Sequence, residues 1–175
     1  MGGRVALHFA AAHPTKVRRL ILESASPGLG TEAERLERQA NDEALACEIE
    51  LHGVKDFVRR WERLPLFESQ LQLPSPVRAK RHAQRLRNTE AGLASALRGL
   101  GTGALPSLWE ALPSIQTRTL IIAGELDTKF VEIGEQMTAV LPQAQLLIVP
   151  GAGHTVHLER PRPWVEVVAE FICST

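Results

Sequence analysis

Two short apolar runs near the end of the chain constrain the fold most: Thr119-Leu120-Ile121-Ile122-Ala123-Gly124 and Gln145-Leu146-Leu147-Ile148-Val149-Pro150. Neither alternates polar with apolar residues, so neither is a strand with one wet face. Continuous apolar runs of this length fit strands buried on both faces, as in a parallel sheet covered by helices. The stretch between them, residues 131–141, reads as a helix, and a last helix is expected over 163–172. A third run of the same style, Val17-Arg18-Arg19-Leu20-Ile21-Leu22-Glu23-Ser24, follows an expected helix over 3–12 that Pro14 closes. Strand and helix alternating in this way define the α/β class, with a parallel sheet and flanking helices.

From about residue 30 to 103 the character changes to charged, helical and poor in strand signals. Thr31-Glu32-Ala33-Glu34 is a capping box and starts a helix. A second helix places Val54, Phe57, Val58 and Trp61 on one apolar face. A loop with Pro74 and Pro76 leads into a basic helix through Arg78, Lys80, Arg81, Arg85 and Arg87. A short helix with Leu93 and Leu97 ends near Gly99 and Gly101. The expected organisation is therefore a core from residues 1–29 and 104–175, with residues 30–103 inserted as a helical lid. Neither an internal repeat nor a low-complexity tract interrupts this pattern.

The formal net charge of the 175 residues is zero, so nothing global points to nucleic acid or an anionic membrane. The basic helix at 78–87 reads as a solvated face, and no nucleic-acid partner is expected. Cys47 and Cys173 lack metal-ligand spacing and read as small, reduced core thiols without a disulfide, which suits a cytoplasmic chain. No apolar run reaches the roughly 18 residues that span a bilayer, so no membrane role is expected. The opening residues are too short and interrupted for a secretory signal, and Ala6 stands where a myristoylation motif wants Ser or Thr. No motif calls for a metal or another cofactor.

Ligands of parallel α/β sheets meet the loops at the carboxyl ends of the strands. After the 119–124 run comes Gly124-Glu125-Leu126-Asp127, and after the 145–149 run comes Gly151-Ala152-Gly153-His154. Each residue has a bland explanation: an aspartate after a strand commonly caps the next helix, and a lone loop histidine commonly does nothing. Together, on successive strand ends and in Asp-before-His order, they match the acid–histidine pair of α/β-hydrolases. The glycines beside His154 let the backbone turn sharply and give the ring room. His157 reads as a structural neighbour. No G-x-S-x-G elbow is present, and Ser24, Ser26 and Ser95 stand in the wrong contexts. Gly2 fits the last glycine of that elbow, which puts the serine just before Met1 and makes the Met1 nitrogen the oxyanion donor. The chain is thus expected to be N-terminally truncated, without a nucleophile and inactive by itself.

The segments MGGRVALHFA, SASPGL, RLERQANDEALA, ALRGLGTGALPSLWEAL, GELDTKFVEI and GAGHTVHLERP resemble the 2-succinyl-6-hydroxy-2,4-cyclohexadiene-1-carboxylate synthases of menaquinone biosynthesis. The resemblance runs along essentially the whole chain. It implies the C-terminal part of an α/β-hydrolase fold with a helical lid insertion, and a lyase that removes pyruvate from a small, carboxylate-rich substrate. It assigns Asp127 and His154 as the acid and the histidine, and Arg4, Arg38, Trp61 and Arg85 as substrate contacts. Arginine's planar fork suits carboxylates independently of any resemblance. The rival role for Arg38 is a solvated helix face, and for Trp61 it is packing within the helical segment. Two other functions stay open: another lid-bearing α/β-hydrolase (an esterase or carbon–carbon bond hydrolase), or a non-catalytic fragment or interaction protein. In the last case the 18–24 strand, an apolar edge, is a template for self-association.

Overall fold

The structure is a computed structural model that describes residues 1–174. In chain order its elements are α1 (Gly2–Ala12), β1 (Arg19–Glu23), α2 (Glu32–Trp61), α3 (Ser75–Arg85), α4 (Glu90–Leu100), β2 (Arg118–Gly124), α5 (Thr128–Val140), β3 (Ala144–Val149), α6 (Val156–Glu159) and α7 (Pro161–Cys173). They fall into two compact units, one from Gly28 to Ser107 and one from Gly2–Pro27 with the residues from Leu108 onward.

The second unit holds the sheet. Its strands lie in the order β1-β2-β3, all parallel, with Leu22 opposite Ile121 and Gly124 opposite Val149. The central strand β2 is buried from Thr119 to Gly124, as its unbroken apolar run predicts. Its side chains alternate between two cores. Ile121 packs with Leu7, Leu22, Leu112 and Met137, while Leu120 and Ile122 pack with Val149, Val156 and Phe171. The sheet is therefore covered on both faces, by α1 and α5 on one and by α6 and α7 on the other. No helix of the described residues is long and apolar enough to cross a membrane.

The first unit is helical. Thr31 caps α2 with a complete box: its hydroxyl accepts the Glu34 N–H at 3.2 Å and the Glu34 carboxylate accepts the Thr31 N–H at 2.9 Å. The two helices expected in this stretch are halves of α2, broken at Gly53, whose φ of 82° favours glycine. Just past the break, Glu90 of α4 accepts the Val54 N–H at 3.3 Å. Between α4 and α2, Arg98 donates to Glu43 and Glu50 together, at 2.8 and 2.6 Å.

Several boundaries differ from expectation. α5 begins at Thr128 rather than near 131, because the chain turns helical as soon as it leaves Asp127. Pro76 lies inside the first turn of α3 instead of in a loop, where its missing N–H costs nothing, and α3 stops at Arg85, short of Arg87. Pro161 likewise opens α7 before 163. Three 3-10 segments (Pro14–Lys16, Pro65–Gln72 and Trp109–Ser114) and the single turn of α6 carry no periodicity long enough to be read in advance. Both cysteines are exposed rather than in a core. On α2 the inward positions belong to Ala46 and Ile49, which turns Cys47 to solvent beside Glu43; on α7 Phe171 takes the inward position before Cys173.

The Arg98 hydrogen bonds hold the Glu43 carboxyl well below the usual range, at about 2. Arg98→Ala is expected to raise it toward the ordinary carboxylate range near pH 4, with the Cys47 hydrogen bond still holding it below, read as the Glu43 titration by NMR. A group with a depressed pKa contributes stability above its unfolded value and loses it as pH falls toward 2, so this contribution fades between about pH 4 and 2.

Candidate active site

Asp127 and His154 meet. The His154 Nδ1 lies 2.7 Å from the Asp127 Oδ2, within the range of charge-assisted hydrogen bonds. Asp127 occupies the N-cap position of α5, yet its side chain makes no cap hydrogen bond there. The bland explanation for Asp127 thus applies to its backbone only, and its carboxylate is directed to the imidazole. The aspartate is 6% exposed, so the carboxylate end of the pair is shielded from water, which strengthens the interaction. A carboxylate accepts, so in this bond Nδ1 is the donor. The Phe130 ring, from the first turn of α5, flanks the imidazole with centroids 4.8 Å apart.

The His154 loop is held by its backbone. The Leu126 N–H donates to the Ala152 carbonyl at 2.9 Å, and the Glu125 carboxylate accepts the Gly151 N–H at 2.8 Å. Gly151 takes the expected sharp turn with a φ of 63°. The decisive glycine is on the other strand end: a Cβ at Gly124 would stand 2.2 Å from the Gly153 oxygen and 2.3 Å from the Ala152 oxygen. Only a residue without a side chain lets these two loops come so close. Glu159, buried at 7% exposure, accepts the Gly153 N–H at 2.7 Å and the Thr155 N–H at 3.1 Å. Sequence reasoning missed Glu159, Gly124 and Phe130. For Glu159 no local signal is present, because its burial arises only when the His154 loop folds back over it.

A second histidine–acid pair lies in the same unit. The His157 Nδ1 is 2.8 Å from the Glu23 Oε1, at the end of β1. Its members are more open, with side chains 45% and 17% exposed, against 23% and 5% for His154 and Asp127. The contact ties α6 to the end of β1.

The other singled-out residues have these surroundings. Arg4, on α1, is 5% exposed, and Met1 precedes that helix with 54% exposure. Arg38 donates from Nε to Asp42 at 2.8 Å, one turn along α2. Trp61 and Arg85 come together on one ring within the helical unit: Trp61 packs on Phe67 at 5.6 Å and the Arg85 guanidinium lies 5.3 Å from the same centroid. Arg85 also donates to Glu62 at 2.7 Å. Burial acts to raise the Glu62 carboxyl, but the hydrogen bonds from Arg85 and His82 outweigh it and leave the carboxyl below its usual range. Arg78 and Arg81, read from sequence as a solvated face, line one cleft with Arg85, Phe67 and Gln70.

The profile of the Alpha/beta hydrolase family matches residues 1–168. Among curated proteins, the chain is 46% identical over 99% of its length to the "Putative 2-succinyl-6-hydroxy-2,4-cyclohexadiene-1-carboxylate synthase" of Bacillus subtilis, and spans 64% of that relative. Among solved structures it is similar to MenH from S. aureus, with a TM-score of 0.95 and 41% identity over 97% of this chain and 64% of that one. A thermophilic esterase from Thermogutta terrifontis follows with a TM-score of 0.83 and 25% identity, over 98% of this chain and 61% of the esterase.

Two outcomes are expected from this geometry. Gly124→Ala should lower stability by about 1–3 kcal/mol, because backbone atoms cannot move aside as side chains do; urea unfolding measures it. Asp127→Asn should abolish the downfield imidazole N–H proton resonance of His154, since an amide can offer a donor where the carboxylate only accepts. One-dimensional proton NMR of the folded chain reads this directly, with His157 as the internal control.

Proposed function

We propose, for a chain that belongs to the α/β-hydrolase family, that it supplies the acid–histidine pair of a 2-succinyl-6-hydroxy-2,4-cyclohexadiene-1-carboxylate synthase. The reaction is elimination of pyruvate from 2-succinyl-5-enolpyruvyl-6-hydroxy-3-cyclohexene-1-carboxylate. The observation that carries this reading is the 46% identity to the Bacillus subtilis relative along 99% of the chain, the helical unit included. The esterase likeness also runs along 98% of the chain, but at 25% identity.

In this reading Asp127 fixes the Nδ1–H tautomer of His154 and stabilises the imidazolium that forms, as in hydrolase triads. Nε2 takes the proton of a serine hydroxyl, and that oxygen removes a proton from a ring carbon of the substrate; the electron pair left behind forms a ring C=C bond as the ring C–O bond to the enolpyruvyl group breaks, and the departing enolate takes a proton at its CH2 carbon to become pyruvate. The Met1 backbone nitrogen is the oxyanion donor. Arg4, Arg38 and Arg85 serve the substrate carboxylates through bidentate bonds, and Trp61 offers an apolar wall. The reaction takes place in the cytoplasm and needs no cofactor.

The test is a chimera that joins this chain to the portion of the Bacillus subtilis relative outside the match. Pyruvate release from the enolpyruvyl substrate is expected. Turnover of simple aryl esters without pyruvate release would replace the synthase by an esterase, the reading favoured by the Thermogutta terrifontis likeness. In the same chimera His154→Ala should lower turnover by about a thousandfold and His157→Ala by less than about tenfold. Equal losses would overturn the assignment of roles.

A further inference from the structure

We propose that Glu159 is a positioning residue for His154, acting through the backbone on both sides of it. The carboxylate is 7% exposed and its two oxygens are divided between two amides, Gly153 N–H at 2.7 Å and Thr155 N–H at 3.1 Å. Those amides belong to the peptide planes that bracket residues 153 and 154. Fixing both planes fixes the direction in which the His154 Cα–Cβ bond leaves the chain. The ring then has only its side-chain torsions to set, and the Asp127 bond at 2.7 Å and the Phe130 ring at 4.8 Å set them. The histidine is thereby located twice, once from its backbone and once from its ring.

A carboxylate suits this place for a definite reason. Burying one is costly unless its oxygens are hydrogen-bonded. A hydrophobic side chain would pack beside Val156 and Ala152, both fully buried, without that cost. What it could not do is accept from the two loop amides, which would then be buried donors without partners. Glutamine has one acceptor oxygen and one NH2 group, so it satisfies one amide and sets donor against donor at the other. Glu125 makes a useful contrast. It accepts a single N–H, that of Gly151, from an exposed position, so glutamine can replace it with that bond intact.

The role rests on the reading of His154 as the proton-transfer group, but the test does not depend on turnover. Glu159→Gln and Glu125→Gln are made in the 175-residue chain. In Glu159→Gln, amide hydrogen exchange at Gly153 and Thr155 should rise by about tenfold or more, and the downfield His154 N–H resonance should broaden or vanish. The β2 amides should keep their protection, and Glu125→Gln should change none of these signals. An unchanged His154 resonance with unchanged exchange in Glu159→Gln overturns the proposal. Equal acceleration at Gly153 and throughout β2 also overturns it, because that is loss of general stability. If Glu159→Gln does not fold, the unmodified chain decides: protection of Gly153 and Thr155 beyond that of Gly151 supports the clamp, and exchange at unfolded-chain rates refutes it. Failure of the chimera to release pyruvate would leave all these signals as they are.

Discussion

The central strand β2 must satisfy its backbone on two edges and bury its side chains on two faces. From Thr119 to Gly124 no residue reaches solvent, so every peptide group there depends on β1 and β3, and every side chain on the helices above and below. That requirement makes the sheet parallel and fixes its register. The register carries the strand ends with it: Gly124 stands opposite Val149, and the loops beyond them leave side by side. The meeting of Asp127 and His154 is a consequence of how β2 is enclosed.

Strand ends alone would bring the two loops near each other without fixing atoms to within a hydrogen bond. That precision comes from groups with no chemical part in proton transfer. Gly124 contributes by lacking a side chain, since a methyl group there would occupy the space of the Gly153 and Ala152 carbonyls. Glu125 and Glu159 contribute acceptors for amides that the loop cannot satisfy by itself. A glycine-rich loop pays heavily in conformational entropy when ordered, and these hydrogen bonds, the two buried ones to Glu159 above all, offset that here.

The helical unit uses charge differently. Arg98 binds two glutamates across α2 and α4 at the surface, where such a network is screened and modest in strength. Arg85 is more enclosed, with its guanidinium on the Phe67 ring and one hydrogen bond to Glu62. A guanidinium has five N–H donors, so one bond to Glu62 leaves capacity for a second carboxylate. Glu62 would then hold the fork in place for it. The same holds for Arg38, whose Nε is taken by Asp42 while its side chain stays 46% exposed.

The sequence by itself determined the class of the fold, because buried strands and capped helices are written in local patterns. The unbroken run at 119–124, the capping box at Thr31 and the apolar face of Val54 and Val58 each specify their element through residues a few positions apart. It also determined the candidate pair, since strand-end position and Asp-before-His order are legible along a line. What only the tertiary structure decided depends on distance in space. Whether Asp127 caps α5 or faces His154, whether Trp61 packs on Phe67, and which groups hold the His154 loop are contacts between residues far apart in sequence or hidden in irregular turns. The weight of Gly124 and Glu159 could not be seen in advance for the same reason: a missing side chain and a buried carboxylate acquire meaning only from the backbone that folds against them.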